Sequence, residues 1–371
     1  MSTWPSRFAV RLAERMIAPQ VGNEIMKLGL LLGTSGARSG LDMDVVLEAE
    51  RLGFDSAWAG EAYGSDAVTP IAWMLARTVK IKGGTGIMQM PARTPACAAM
   101  TAMSLQALSG GRFLCGLGPS GPQVVEGWHG QPFGKPHART REYVSIIRQV
   151  FARTGPLVHQ GEHYQIPYTG AGATGLGKPL KSIMHPSDEL KIYTAAISPA
   201  GLRTAGEVAD GVLPFIMSPE RADLIVHPVE EGMGKASARK TLADFDIAPY
   251  ARIRVGEDVA ACRDAIRPEL AFYIGGMGAR DKNFYNDLVK RMGYEAAARE
   301  IQDLFLSGKR QEATAAVPDA LIDETCLVGP KDRIKDRLEA WKAIAHDHKI
   351  GTLLLSGITI ESARIVAEAV L

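Results

Sequence analysis

Cysteine is scarce in this chain and scattered. Cys97, Cys115, Cys262 and Cys326 form no C-x-x-C pair, which argues against a disulfide framework or a structural zinc site and suits a reducing compartment. An excess of charge is also missing. The 42 Lys+Arg against 41 Asp+Glu leave a net +1, so the chain has no overall basic footprint for nucleic acid. No apolar run reaches membrane-spanning length. The first 25 residues carry Arg7, Arg11 and Arg15 but no continuous apolar stretch, so they do not read as a secretory signal. These absences predict a cytoplasmic protein with no nucleic-acid or membrane partner. Residues 1–25 read as an extension, and Met26, which opens the first convincing strand, is an alternative start.

What the chain does have is alternation. Hydrophobic residues make up 46% of its 371 positions and charged residues 22%, enough apolar material for one large barrel or two smaller domains. From residue 27 onward, apolar strand segments alternate with amphipathic helix segments. Residues 27–33 (KLGLLLG), 54–60 (FDSAWAG), 80–86 (KIKGGTG) and 111–118 (GRFLCGLG) read as strands. So do residues 189–196 (ELKIYTAA), 210–216 (DGVLPFI), 250–256 (YARIRVG) and 349–357 (KIGTLLLSG). Continuous apolar strands separated by helices imply a parallel sheet covered by helices. Eight of them is the count of a (β/α)8 barrel, with a doubly wound open sheet as the other arrangement. Residues 155–189 and 276–329 exceed simple connections and read as decorations near the barrel mouth, within one barrel domain spanning 26–371.

Several motifs fail on context. Gly116, Gly118 and Gly121 fit G-x-G-x-x-G, but Pro122 follows, and the next stretch does not open an apolar-periodic helix as a dinucleotide site requires. Ser120 lies in G-x-S-x-P rather than the G-x-S-x-G of a hydrolase nucleophile elbow. His346-Asp347-His348 precedes the last strand, on the face of a barrel that serves stability. His129 and His137 follow the fourth strand but lack metal-ligand spacing, so no metal site is expected. The strand ends themselves are more informative: GTSG, GEAYGSD, GTGIMQMPART, GLGPSGPQ and AAISPAG. In a barrel all five converge on one mouth, where glycine admits close backbone approach and backbone N–H groups can bind anions.

The stretches GTGIMQMPARTPACAAMTAMSLQALSGGRFLCGLGPSGPQVVEGWHGQPF and LAFYIGGMGARDKNFYNDLVKRMGYEAAAREI, with L-S-G-G-R at Leu108–Arg112, resemble the luciferase-like flavin/deazaflavin oxidoreductase superfamily. They look most like its actinobacterial branch assigned to coenzyme F420 and related to methylenetetrahydromethanopterin reductase. The resemblance implies a (β/α)8 TIM barrel with insertions at the strand C-terminal ends and the deazaflavin ring in its mouth. It implies a cis peptide bond between Gly86 and Ile87, backing the ring, with Gln89 beside it. It places Gly118, Pro119, Ser120, Gly121 and Gln123 against the cofactor's side chain, and Ala196, Ser198 and Gly201 near its phosphate. Glu61 and Ala62 fall where many relatives have an acid or a catalytic histidine; the histidine is missing here, as is the acid that some relatives carry after the first strand. Glu61 and Tyr63 are the candidates for proton transfer, and Trp128 and His129 for the substrate side. The expected activity is hydride transfer between F420 and a small organic substrate by a homodimer or higher homo-oligomer. An FMN-dependent monooxygenase and a non-catalytic flavin-binding barrel are the rival expectations.

Overall fold

The structure is a computed structural model that describes residues 26–33, 40–185, 190–280 and 282–371. The extension over 1–25 and most of the loop after the first strand, including the position of the missing acid, lie outside the described residues.

The eight expected strands form in parallel, each shorter than its apolar run: Lys27–Leu31, Ser56–Ala59, Lys82–Thr85, Phe113–Gly118, Ile192–Ala195, Gly211–Leu213, Tyr250–Val255 and Thr352–Ser356. Each of the first five pairs with its successor, and the first also pairs with the eighth, with Lys27 opposite Thr352 and Gly29 opposite Ser56. Closure falls to residues 246–255. Their start, Asp246–Ile247, pairs with the sixth strand, and Tyr250–Arg252 pair with the eighth. Between these registers the backbone still bonds both ways: Ala248 N–H to the Val212 carbonyl at 2.9 Å, and Leu354 N–H to the Pro249 carbonyl at 2.9 Å. The result is a (β/α)8 barrel, and the open-sheet alternative falls away.

Local chemistry explains the elements. Asp42 caps the helix Met43–Leu52 by accepting from Val45 N–H at 3.2 Å, and Gly53 ends it at φ 97°. Thr94 accepts from Cys97 N–H to start Pro95–Leu108, with proline in the first turn where no N–H is needed. The L-S-G-G-R motif proves to be the turn that launches the fourth strand. Gly110 and Gly111 take positive φ, and the Arg112 guanidinium donates to the carbonyls of Leu75, Thr78 and Ile81. One arginine thereby ties a helix end and a strand start to the strand that follows.

Inward-facing side chains fill the barrel: Trp58, Leu114, Tyr193, Leu213, Ala248, Tyr250 and Leu354 form one cluster. Trp58 meets Tyr193 edge-on at 5.1 Å and donates its indole N–H to Ser56 Oγ at 2.9 Å. Tyr193 donates to Asp246 at 3.0 Å. A larger cluster lies between strands and helices.

Three features depart from the sequence reading. Residues 258–276, whose apolar pattern predicts one helix, form Val259–Asp264, Arg267–Ala271 and a wide π-type turn at Phe272–Gly276, because Pro268 cannot donate into a continuing helix. A further strand, Cys326–Gly329, pairs parallel with Tyr250–Val255. Before it, the helices Phe284–Arg291, Glu295–Leu306, Arg310–Ala315 and Asp319–Thr325 help build a second hydrophobic cluster around Ile274, Val289, Ile301 and Leu321. Finally, Pro122–Gly127 is a short helix opened by the Gly116–Gly121 loop. It is followed by the helix Pro136–Ala152, not by the strand that would carry a dinucleotide site's ribose acid. Residues 155–189 follow a helix rather than a strand. Their hairpin, His159–Gln160 with Gln165–Ile166, is anchored where the Glu142 carboxylate accepts from the N–H groups of Glu162, His163 and Tyr164.

Gly116 tests how tightly the third and fourth strands approach. A Cβ there would collide with the Thr85 carbonyl oxygen, whose side-chain hydroxyl also donates to the Gly116 carbonyl at 2.7 Å. Gly116→Ala is expected to cost about 3 kcal/mol, as overpacking against immobile backbone does, read as a fall in the denaturant midpoint at unchanged m-value.

Candidate functional site

The loops after the second, third and fourth strands are knotted together by buried polar groups. The Glu61 side chain is only 7% exposed and pairs with Arg93, at 2.5 Å from Oε1 and 3.1 Å from Oε2. Its oxygens also accept from the backbone N–H groups of Gln89 at 2.7 Å and Ala67 at 2.9 Å. Four donors on two oxygens leave Glu61 holding loop geometry. Gln89, 1% exposed, completes the knot. Its amide donates to the carbonyls of Glu61 at 2.8 Å and Ala62 at 3.0 Å, and its oxygen lies 2.7 Å from His129 Nε2. His129, set aside as a metal ligand by its spacing, therefore fastens the fourth-strand loop to the other two.

The third-strand end is a crossing of bare backbone. The Gly86–Ile87 peptide is cis, as the family resemblance implied. Gly86 N–H donates to the Ala59 carbonyl at 2.7 Å and Glu61 N–H to the Ile87 carbonyl at 3.3 Å. A Cβ on Gly86 would come within 2.7 Å of Tyr250 Oη, and one on Gly118 within 2.7 Å of the Ile87 side chain. These two glycines are therefore required by packing alone. Burial pushes the Tyr250 phenol above its usual range, so it stays protonated beneath the Gly86 carbonyl, at a long 3.5 Å. Gly121 differs. Nothing lies within 4 Å of its missing Cβ, and its φ of −102° suits any residue. Ser120 beside it takes φ 61°, while Pro119 is half-buried and Gln123 is exposed on the short helix.

At the fifth-strand end, Ser198 caps the ten-residue helix Pro199–Val208 by accepting from Gly201 N–H at 3.2 Å. A Cβ on Gly201 would touch Ala196 and His137 as well as Ser198, so these four converge. Burial, then the Arg141 charge, hold His137 below the ordinary imidazole range. Its spacing carried no such signal; only the folded structure brings it to this helix end. Ala62, Tyr63 and Trp128 are exposed, Tyr63 at 60%. Among the described residues, no group of His, Cys, Asp or Glu is arranged to hold a metal ion, and no helix is long and apolar enough to cross a membrane.

The chain and its fold have known counterparts. Residues 34–348 match the luciferase-like monooxygenase family. The chain belongs to that family. A Mycobacterium tuberculosis protein with the provisional name coenzyme F420-dependent oxidoreductase is 45% identical over 320 residues, covering 86% of this chain and 92% of that one. The F420-dependent tetrahydromethanopterin reductase of Methanopyrus kandleri superposes with a TM-score of 0.73 at 23% identity, covering 93% of this chain and 98% of that chain. An F420-dependent secondary alcohol dehydrogenase bound to an F420–acetone adduct superposes at 0.68 with 18% identity and the same coverage. The luciferase-like family member described here is thus an oxidoreductase on a TIM barrel, with its strand C-terminal ends gathered at one mouth.

The knot around Glu61 makes a prediction. Arg93→Met would leave a buried carboxylate without its cation and is expected to cost about 3 kcal/mol in urea unfolding. Arg51→Met, which breaks the exposed Glu48–Arg51 pair, should change the midpoint far less.

Proposed function

We propose that this protein transfers hydride between coenzyme F420 and a small organic substrate at the barrel mouth. The observation that carries the reading is the set of strand-end loops held rigid by Gln89 and Glu61, together with the family membership and the provisionally named F420-dependent relative at 45% identity. The residues fit such a group. The open space at Gly121 admits a ligand without clash, and the helix at Pro199 presents first-turn N–H groups that have no partner inside the helix, as a phosphate requires. When bound, the deazaflavin supplies the hydride at its C5.

The chain's own residues do the rest. Gly86 and Ile87 would offer their peptide to the ring, and the Tyr250, Trp58 and Ile87 side chains would back it. The loop 118–123 would border the cofactor's side chain, with open space left for it at Gly121. Ser198, Gly201 and His137 gather around its phosphate. Of the two residues proposed for proton transfer, Glu61 has its oxygens committed to four donors, so the role passes to the exposed phenol of Tyr63. Glu61 orders the loop that carries it. The substrate side lies toward Trp128 and the helices that follow the seventh strand. Exposed Trp73, Met100, Leu108 and Ile183 leave apolar area for a second copy of the chain, and we place the protein in the cytoplasm as a homodimer or higher homo-oligomer. The FMN-dependent alternative loses support from the missing histidine after the second strand.

Fluorescence titration tests this reading: F420 should bind more tightly than FMN, and equal or tighter FMN binding would overturn it. Gly121→Val is expected to leave the melting temperature within a degree or two, because no atom occupies the space, and to weaken F420 binding at least tenfold. If binding is unchanged, the loop does not touch the cofactor.

His137 adds a pH signature. Its folded pKa is depressed, so the unfolded chain, with an imidazole near 6.5, takes up the proton first as pH falls. Stability should decline below about pH 6.5. A bound phosphate favours the charged imidazole, so cofactor should lessen that decline, which a pH series of melting curves with and without F420 would show.

A further inference from the structure

One charged group at the inner mouth has no part in the reading above. Arg252 lies two residues beyond Tyr250 on the seventh strand. It therefore shares Tyr250's inward face, one step nearer the mouth. The intervening Ala251 belongs to the outer cluster. Arg252 is 4% exposed. Its guanidinium sits 4.7 Å above the Phe215 ring centroid and 6.0 Å from that of Tyr273. Phe215 and Tyr273 lie 4.1 Å apart, and Tyr285 stands edge-on to both, at 5.6 and 4.9 Å.

This buried cation is under-partnered. Nη2 donates to one oxygen of Glu269 at 2.8 Å, while Nε is buried with no hydrogen-bond partner. Glu269 is itself 49% exposed and sits on the five-residue helix Arg267–Ala271. A charge withdrawn from water usually has its donors satisfied, and a buried orphan N–H calls for an explanation. The Nε–Nη2 edge of the guanidinium, of which Glu269 uses only Nη2, is the fork that matches the two oxygens of a carboxylate. The surrounding rings suit a flat apolar body.

We propose that Arg252 anchors a carboxylate on the substrate, and that Glu269 occupies part of that position until the substrate displaces it toward solvent. The substrate class is a planar aryl or alkenyl carboxylate. This rests on the mouth being the reaction site, as proposed above. The competing explanation is that the Arg252–Glu269 pair only pins the inserted helices to the barrel.

The experiment is calorimetric binding of cinnamate and its methyl ester to the full chain, with F420 affinity measured in parallel. Wild type should bind the acid at least tenfold more tightly than the ester, because hydrogen bonds to a charged partner are the stronger ones. Arg252→Met should abolish that preference, and Arg252→Lys, which keeps the charge but not the fork, should lose most of it. Glu269→Gln, at a half-exposed position outside the barrel core, should bind the acid several-fold more tightly because a neutral amide competes for the guanidinium less well than a carboxylate. The proposal is overturned if wild type shows no preference for the acid or no acid binding, or if the Arg252 variants lose melting temperature while the preference persists. Weaker acid binding by Glu269→Gln overturns it too. An acid preference that follows Arg252 in a protein that does not bind F420 sinks the cofactor reading and leaves this one standing; F420 binding without any acid preference does the reverse.

Discussion

The mouth of this barrel depends on one buried carboxylate. Glu61 is removed from water, and a charge so placed is tolerable only when compensated. The compensation comes from Arg93, beyond the third strand, and from two backbone N–H groups, one on each side of the mouth's first loops. Because the donors belong to different loops, satisfying the charge fixes the loops relative to one another. Gln89 extends the same logic to the fourth-strand loop through His129. The three loops are thus fixed by the protein's own groups, which is the preorganisation that the proposed hydride transfer requires.

Glycine at the strand ends has two separate explanations. Gly86, Gly116 and Gly118 are forced by neighbouring atoms of the barrel itself: Tyr250 Oη, the Thr85 carbonyl and the Ile87 side chain. Gly121 meets nothing. A glycine-rich mouth is therefore not uniform evidence for a ligand, and only the positions with free space are informative about one. The same distinction applies to polar groups. Arg112 is exhausted by backbone carbonyls and is structural, whereas Arg252 retains an unused buried donor.

Much of the architecture was legible in the alternation of apolar strands and amphipathic helices. All eight predicted strands exist, and the family resemblance supplied the cis Gly86–Ile87 peptide. The strand Cys326–Gly329 is not legible, because four residues between two helices carry too little periodicity to separate them from a helix end. The break at Pro268 and the short helix after Gly121 are not legible either, since apolar pattern outweighs a single turn-forming residue in such short segments. In the site, Glu61, Ala62 and Gln89 come together as one knot, and Ala196, Ser198 and Gly201 as another. His129 and His137 stand out in the sequence, but their neighbours, Gln89 and Gly201, lie 40 and 64 positions away.

The sequence by itself determined the strand count, the parallel sheet and the loops that reach the mouth, because these follow from local periodicity and from residues whose backbone preferences are intrinsic. It also determined the near-zero charge and the scattered cysteines. Only the tertiary structure decided which polar residues are buried, which partners satisfy them and which remain unsatisfied. Glu61 and Tyr63 stand two positions apart in one exposed-looking loop, yet one is locked under Arg93 and the other faces solvent. Arg252 looks like any strand arginine until Phe215, Tyr273 and Glu269 close around it. Burial and pairing are properties of residues distant in the chain, so no local pattern encodes them.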